Sequence, residues 1–189
     1  MSRVVVTEFV SLDGVMEDPG GAESYAHGGW TFQFDRGPKG GKFKMDELFA
    51  SDALLLGRVT YQGFAKAWPS MSDAFADKMN GMRKYVVSKT LKESEATWNN
   101  TTIIRGDVAA EVTTLKAEPG GDLLVAGSAQ LARALIEHGL VDEFRLMVFP
   151  IILGSGKRFF PDMTKPARLE LVEVKTAGAG ILLLRYKPA

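Results

Sequence analysis

Short runs of consecutive apolar residues alternate with segments of helical pattern along most of the chain, and this alternation limits the possible folds. Strands that are apolar on successive residues are typical of parallel sheets whose two faces are covered by crossover helices. The pattern therefore predicts an α/β fold with a largely parallel sheet. The predicted strands are residues 3–10, 53–56, 84–88, 102–105, 122–126 and 143–149.

Two further strand-like segments lie at the end of the chain, and the turn between them indicates a different geometry. Residues 168–175 and 181–187 are separated by Thr-Ala-Gly-Ala-Gly at 176–180. A short Gly-containing turn between two strands favours a β-hairpin. The sequence therefore predicts a mixed sheet, mostly parallel, that ends in an antiparallel hairpin.

Helix starts are recognisable between the strands. Ser72, Asp107 and Ser128 are predicted N-caps, because their side chains can accept hydrogen bonds from first-turn N–H groups. We expect the three helices to end near residue 80, near residue 116 and before Gly139. Residues 14–44 are rich in Gly and are predicted as a long functional or mobile loop.

The length of the chain and the absence of repeats and linkers in its sequence favour one domain. The 189 residues suffice to bury a sizeable core and fall within the usual range for a single domain. The sequence has no internal repeat and no tract of linker composition. We therefore predict a single domain over residues 1–189.

Composition excludes several classes of function. Lys plus Arg equals Asp plus Glu at 23 each, so no broad positive field favours nucleic acid or an anionic membrane as partner. Cysteine is absent, which excludes disulfides and thiolate nucleophiles, and His27 and His138 are too few for a zinc site. No signal-peptide pattern and no apolar run of about 18 residues occurs, so we expect a cytoplasmic protein without a bound metal.

Familiar catalytic and phosphate-binding motifs are also absent. The first predicted strand is followed by no G-x-G-x-x-G, and the chain contains no G-x-S-x-G. Gly-Ser-Gly-Lys at 154–157 resembles part of a phosphate loop, but Arg158 replaces the hydroxyl residue that binds magnesium. These absences argue against a standard Rossmann site, a serine hydrolase and a P-loop nucleotidase.

Two strand-to-helix junctions are the strongest candidates for a ligand site. Gly57 is followed by Arg58 at the start of a helix, where backbone N–H groups favour an anion and a guanidinium can bind phosphate. Gly127 permits close backbone approach to a ligand, and Ser128 offers a cap and a donor. The alternative is that Gly and Ser at these junctions close the turns and bind no ligand. Together the junctions predict a ligand with two separated anionic groups, as in a dinucleotide.

The ordered motifs resemble those of two related reductases. Gly-Arg-Val-Thr at 57–60 resembles the Gly-Arg-x-Thr signature of dihydrofolate reductases, and it is followed in the expected order by 85–88 and 125–130. Ser-Leu-Asp-Gly at 11–14 and the segment 149–156 are similar to the reductase domain of the bifunctional riboflavin-biosynthesis deaminase/reductase. The resemblance spans nearly the whole chain.

The resemblance implies a three-layer α/β/α dihydrofolate-reductase-like fold that binds NADPH. It implies hydride transfer to a small pterin-like or aminopyrimidine-like substrate, as in dihydrofolate reductase and 5-amino-6-(5-phosphoribosylamino)uracil reductase. The zinc deaminase of the bifunctional protein needs cysteines, so that activity is excluded. The alternative is a nucleotide-binding sensor or dimeric scaffold on the same fold, without catalysis.

The resemblance also assigns cofactor-binding residues. Residues 14–30 would form a mobile loop over the nicotinamide. Ser88 and Lys89 would lie beside the adenosine 2′-phosphate. The residues that would hold the other phosphates and the pyrophosphate are Gly57, Arg58, Val59, Thr60, Gly127, Ser128, Ala129 and Gln130.

Two carboxylates are candidate catalytic residues. Asp35 is a candidate for the carboxylate beneath the substrate ring, with Asp46 and Glu47 as rivals, although Asp46 can equally cap a helix over residues 47–50. By resemblance, Asp13 would position the ribose or amine of a substrate. Asp-Gly is equally a turn signal, so a structural role for Asp13 stays open.

Aromatic residues complete the predicted substrate site. Trp30 alternates with Phe32 and Phe34, and such rings stack on a heterocycle, pack a sheet edge or form a dimer contact. Phe149 is a predicted substrate contact within the apolar run 144–153. We expect that run to form a central strand and to contribute to a homodimer surface.

Overall fold

The computed structural model describes residues 1–160 and 165–189, which form an eight-stranded mixed sheet and five α-helices. The strands are β1 (Val4–Ser11), β2 (Ser51–Gly57), β3 (Arg83–Val87), β4 (Thr101–Ile104), β5 (Asp122–Ala126), β6 (Glu143–Phe149), β7 (Leu169–Ala177) and β8 (Ile181–Pro188). The helices are α1 (Gly37–Phe49), α2 (Arg58–Ala67), α3 (Ala74–Gly81), α4 (Val108–Ala117) and α5 (Ala129–Glu137). In the described ranges, every helix is too short or too polar to cross a bilayer.

The chain divides into two compact units. Unit 1 comprises Met1–Val6 and Met45–Asp142, and unit 2 comprises Thr7–Lys44 and Glu143–Ala189. Both β1 and α1 contribute residues to each unit. The single domain that the sequence favours stays a prediction.

Unit 1 contains the parallel part of the sheet, in the order β4-β3-β2-β5-β1. The pairs β2–β3, β3–β4 and β2–β5 are all parallel. Leu54, Leu55 and Leu56 are fully buried, as expected of a strand covered on both faces. From β2 the chain proceeds outward to β3 and β4, and β5 then lies on the other side of β2, so the strand order reverses between β2 and β5.

Unit 2 contains the other side of the sheet, in the order β1-β6-β8-β7. The pairs β6–β8 and β7–β8 are antiparallel, and the turn after Ala177 leads directly into Ile181. Trp30, Met147, Phe149 and Ile181 belong to its buried apolar cluster. The prediction of a mixed α/β sheet with a C-terminal hairpin is confirmed.

The first helix begins earlier in the chain than the sequence predicts. The sequence predicts a loop over 14–44, but α1 begins at Gly37, so Asp46 and Glu47 lie inside this helix and the predicted Asp46 cap is wrong. Pro38 falls in the first turn, where proline is tolerated. A Cβ at Gly40 would lie 3.3 Å from Met147 Cε, so glycine lets the helix approach β6 closely. Gly40, one of the glycines that signal a loop, therefore serves packing.

A smaller correction concerns a cap. The sequence predicts Ser72 as the N-cap of α3, but the cap is Asp73, whose Oδ1 accepts a hydrogen bond from Ala76 N at 2.8 Å. Asp107 caps α4 as predicted, with Oδ1 2.9 Å from Ala110 N. In both helices the carboxylate satisfies a first-turn N–H group.

Candidate functional site

The carboxyl ends of β2, β3 and β5 lie at one edge of the sheet in unit 1. Gly57 at the end of β2 is the register partner of Val87 at the end of β3, and β5 flanks β2 in parallel. The strand order reverses between β2 and β5, and in open α/β sheets ligands bind outside the carboxyl ends at such a switch point. The fold thus brings the predicted cofactor residues of these three strands to one edge.

The two glycine turns at this edge are in direct contact. Gly57 N donates a hydrogen bond to Ser128 Oγ at 2.9 Å. A Cβ at Gly127 would lie 3.1 Å from both Cγ2 and Oγ1 of Thr60. The sequence predicts that these two turns hold opposite ends of one ligand, and the structure places residues 57–60 and 127–130 in direct contact as one surface, here called the cradle.

Backbone conformation explains how the second turn reaches the first. Gly127 has φ of 59°, and Ser128 follows with φ of 61° and ψ of 53°. A left-handed conformation costs a non-glycine residue about 1–2 kcal/mol, and such residues cluster at functional sites. Ser128 occupies the N-cap position of α5, but its hydroxyl accepts from Gly57 instead of capping the helix, which corrects the predicted cap.

The two helices that begin at the cradle differ in capping from their neighbours. In the described ranges, neither Gly57 before α2 nor Ser128 before α5 makes a side-chain cap bond, and neither first turn holds an acidic residue. Asp73 and Asp107 do cap α3 and α4. Uncapped first-turn N–H groups and the helix dipole favour an anion. These features of α2 and α5 would favour an anion at the cradle, whose role in phosphate binding stays a prediction.

The side chains on the cradle are accessible. Arg58 is exposed, and its Nη1 donates to Gln62 Oε1 at 3.1 Å, one turn further along α2. Val59 is also exposed and offers an apolar surface beside the guanidinium. Gln130 is exposed at the start of α5, and Ala129 is half-buried.

Ser88 and Lys89 differ in availability. Ser88 is buried, and its Oγ accepts hydrogen bonds from Thr90 N at 3.1 Å and Leu91 N at 2.9 Å. That hydroxyl is thus part of the turn that follows β3. Lys89 is exposed, so it is the better placed of the two for contact with an anion. The role of both beside a 2′-phosphate stays a prediction.

Asp13 forms a second polar constellation, in unit 2. Its Oδ1 accepts from Ser11 Oγ at 2.6 Å and from Leu153 N at 3.1 Å, and its Oδ2 accepts from Gly154 N at 2.9 Å. The Ser11 hydroxyl and then the backbone N–H groups, opposed by partial desolvation, lower the pKa of Asp13 to about 2. Arg158 donates to the Asp13 carbonyl. This geometry favours the turn role that the sequence left open.

The segment that resembles a phosphate loop is also held by a carboxylate, that of Glu17. Lys157 N donates to Glu17 Oε2 at 2.9 Å, and Lys157 Nζ lies 2.9 Å from Glu17 Oε1. The side-chain hydrogen bond to Glu17 raises the pKa of Lys157. The lysine is therefore paired with a carboxylate within unit 2.

The remaining predicted residues of unit 2 lie in structural contacts. Asp35 is exposed, and its Oδ1 accepts from Gly37 N at 2.7 Å at the start of α1. Trp30 and Phe149 are fully buried and pack edge to face, with ring centroids 5.3 Å apart. The Trp30 ring also donates from Nε1 to Glu17 O at 2.9 Å. Catalytic and substrate roles for these three residues stay predictions.

Several buried charged residues are absent from the sequence-based candidates, among them Glu8 and Lys84. Glu8 lies in β1 with 6% of its surface exposed, and its Oε1 accepts from Phe9 N at 3.1 Å. Lys84 is fully buried in β3, donates to Asn80 O at 2.6 Å, and has its pKa lowered to about 8 by burial. A charged residue within an apolar strand run is the signal that could have found each of them.

Solved structures of low sequence identity share this fold. A protein provisionally assigned to riboflavin biosynthesis, from Shewanella sp. PV-4, has a TM-score of 0.80 at 17% identity, covering 100% of this chain and 99% of that one. A pyrimidine reductase-like protein from Corynebacterium diphtheriae has a TM-score of 0.68 at 15% identity, covering 100% and 92%. These likenesses show that the chain has the fold of these two proteins.

The family is shown by the sequence. The chain belongs to the RibD C-terminal domain family, whose model matches residues 2–183. Uncharacterized protein YyaP of Bacillus subtilis is 30% identical over 189 residues, covering 97% of this chain and 94% of that protein. Uncharacterized protein YwjB of the same organism is 28% identical over 181 residues, covering 96% and 95%. The resemblance to the reductase domain of the bifunctional riboflavin protein is confirmed.

Proposed function

We propose that this protein is an NADPH-dependent reductase that transfers hydride to a small pterin-like or aminopyrimidine-like heterocycle. Membership in the RibD C-terminal domain family supports a reductase-like function. The observation that carries the cofactor assignment is the cradle, where two helix N-termini without side-chain caps among the described residues meet at a switch point.

The residues of the cradle fit a pyrophosphate. Gly127 presents backbone without a side chain, and a Cβ there would crowd Thr60. The N–H groups at the starts of α2 and α5 supply donors, and the Arg58 guanidinium can add a bidentate contact to a phosphate oxygen. Lys89, exposed after β3, supplies the positive charge that would favour a 2′-phosphate over a 2′-hydroxyl.

In such an enzyme the cofactor supplies the reaction chemistry, so few side chains need a catalytic role. NADPH supplies the hydride, and the protein orients the reactants and excludes water. In this chain, the N-termini of α2 and α5 would fix the position of the pyrophosphate. The side chains of Arg58 and Thr60 would contact it from the side. A large cluster of catalytic side chains is therefore unnecessary.

Calorimetric titration with NADPH tests the cofactor assignment. Arg58→Ala should weaken NADPH binding by roughly 1–3 kcal/mol, the scale of a charge-assisted hydrogen bond, with little change in melting temperature. Arg133→Ala is the matched control, because Arg133 also lies on a helix of unit 1 and pairs one turn ahead, with Glu137 at 2.9 Å. Absence of NADPH binding at tens of micromolar, or equal losses in both variants, would reject the assignment.

The second candidate is a nucleotide-binding sensor or scaffold without catalysis. The observation that favours it is that both predicted catalytic carboxylates, Asp13 and Asp35, hold backbone N–H groups. Absorbance at 340 nm separates the candidates when NADPH is mixed with dihydropterin, aminopyrimidinone and quinone acceptors. Oxidation of NADPH with one acceptor supports the reductase, and tight binding without oxidation across the set supports the sensor.

A further inference from the structure

Unit 1 contains a lysine side chain that is completely enclosed by the protein. Lys84 in β3 has 0% of its surface exposed, and its register partners in β2 and β4 are Leu54 and Thr101. Among the described residues, the hydrogen bonds and ion pairs of Lys84 include no carboxylate. Lysine is almost never fully buried without such a partner, because burial disfavours the charged amine. A charged amine at this position is therefore costly to the folded protein.

Two groups around Lys84 favour the charged form of its amine. Nζ donates a hydrogen bond to Asn80 O at 2.6 Å, in the last turn of α3, where the helix dipole is negative. Nζ also lies 4.3 Å from the centroid of the Trp98 ring, which is a cation–π distance. Burial opposes both contacts and lowers the pKa of Lys84 to about 8. The amine therefore changes charge near pH 8 instead of far above it.

The other charged groups of the surrounding elements have contacts of their own or face solvent. They are Asp52 in β2, Arg58 and Lys66 in α2, Asp77 and Lys78 in α3, and Arg83 in β3, and residues 96–104, which include Trp98 and β4, contain none. Asp52 Oδ2 accepts from Gly121 N at 2.6 Å, and Arg83 Nη1 lies 3.9 Å from Glu118 Oε2. Lys78 Nζ lies 6.0 Å from the centroid of the Phe49 ring, and the remaining three are exposed. In the part of the chain that the structure describes, none of them bonds to Lys84, so the charge of this buried site depends on Lys84 itself.

A chain of contacts connects this amine to the cradle. Trp98 N donates to Tyr61 Oη at 3.1 Å, and Tyr61 is the fully buried residue that follows Thr60 in α2. Trp98 Nε1 also donates to Asn80 Oδ1 at 2.8 Å, so the ring that contacts Lys84 is held in place. The contacts thus run from Lys84 through Trp98 and Tyr61 to the first turn of α2.

The amine is also within electrostatic reach of the cradle. Lys84 is the register partner of Leu54, and Val87 is the register partner of Gly57 at the edge of the sheet. The three residues from Lys84 to Val87 correspond to about 10 Å of strand. Charges inside a protein are screened much less than charges at its surface. A charged Lys84 should therefore favour an anion on the cradle.

We propose that Lys84 regulates ligand binding at the cradle, because its charged form strengthens the binding of an anion there and its neutral form weakens it. This inference rests on the proposed function, since it concerns the same site. The coupling is reciprocal, so a bound anion favours the charged amine by as much as the charged amine favours the anion. Because the pKa of Lys84 is about 8, the affinity for NADPH should be higher below pH 8 than above it.

Calorimetric titration with NADPH at pH 7 and pH 9.5 tests this proposal. The wild-type protein should bind NADPH about three- to tenfold more weakly at pH 9.5, the scale of one buried charge about 10 Å from an anion. NADPH keeps the same charge over this range, because a phosphate monoester loses its second proton near pH 6. Lys84→Met, which is of similar length but uncharged, should show little of this change. Lys66→Met is the matched control, since Lys66 is an exposed lysine of unit 1, and it should behave as wild type.

The ¹³C resonance of Lys84 Cε provides a second measurement, on the wild-type protein itself. Its titration midpoint should lie near pH 8 in the free protein and move upward when NADPH is bound. A midpoint near the ordinary lysine value of about 10.4, or one that bound NADPH leaves unchanged, would overturn the proposal. A folded Lys84→Met protein with the pH dependence of wild type would do the same. Absence of NADPH binding at both pH values rejects the proposed function together with this inference, whereas binding without an effect of Lys84 rejects this inference alone.

Discussion

Asp13 shows how one residue can fit a functional and a structural hypothesis until its contacts are known. Its carboxylate accepts from the Ser11 hydroxyl and from the N–H groups of Leu153 and Gly154. All three donors belong to the chain itself, and they join the turn after β1 to the segment after β6. The contacts with Leu153 and Gly154 cannot be predicted from Asp-Gly, because these partners lie 140 and 141 residues away in the sequence.

If Asp13 has this structural role, Asp13→Asn should lose stability in a pH-dependent way. Since folding lowers the pKa of Asp13 to about 2, its contribution is full above the unfolded value near 4 and disappears as pH falls through 2. Asp13→Asn should therefore lower the free energy of unfolding at pH 7 by about 1–3 kcal/mol, and the gap should narrow between pH 4 and pH 2. Urea denaturation at several pH values measures this.

Asp35→Asn is the control for Asp13→Asn. Asp35 is exposed and accepts one backbone N–H, from Gly37, so its replacement should cost less stability. An Asp13→Asn protein as stable as wild type at pH 7, but defective in turnover, would assign Asp13 to the substrate instead.

At the scale of elements, apolar strand runs were predictable and the first helix was not. The runs at 122–126 and 143–149 have the same bounds as β5 and β6, because consecutive buried residues leave a strong signal. In α1, Gly37, Gly40 and Gly41 lower helix propensity and indicate a loop. Close packing of α1 on β6 outweighs the low helix propensity of these glycines. A local sequence pattern cannot predict this packing, because the two segments are distant in the chain.

Adjacent glycines of α1 provide a direct test of that explanation. A Cβ at Gly40 would lie 2.8 Å from Arg36 Cβ and 3.3 Å from Met147 Cε, whereas a Cβ at Gly41 would meet nothing within 4 Å. Gly41→Ala should therefore stabilise the protein by about 0.5–1 kcal/mol through helix propensity. Gly40→Ala should destabilise it by about 1–3 kcal/mol through overpacking. Thermal melts of both variants measure this, and equal stabilisation would contradict the packing explanation.

At the scale of the whole molecule, the sequence predicts the sheet and the two glycine turns but not their contact. Strand order is what places Gly57 beside Ser128, since β5 lies next to β2 although 71 residues separate the two positions. The sequence motifs identify the two turns as candidates for a ligand site, and the strand order brings them together as the cradle.

Amide chemical shifts during an NADPH titration test the cradle most directly. In ¹⁵N-labelled protein, the N–H groups of residues 58–60 and 128–130 should shift together on addition of NADPH, because they would donate to the pyrophosphate. The same amides should respond to inorganic pyrophosphate, while those of the Asp13 turn should not. Binding of NADPH that leaves residues 58–60 and 128–130 unshifted would contradict the assignment of the cradle as the cofactor site.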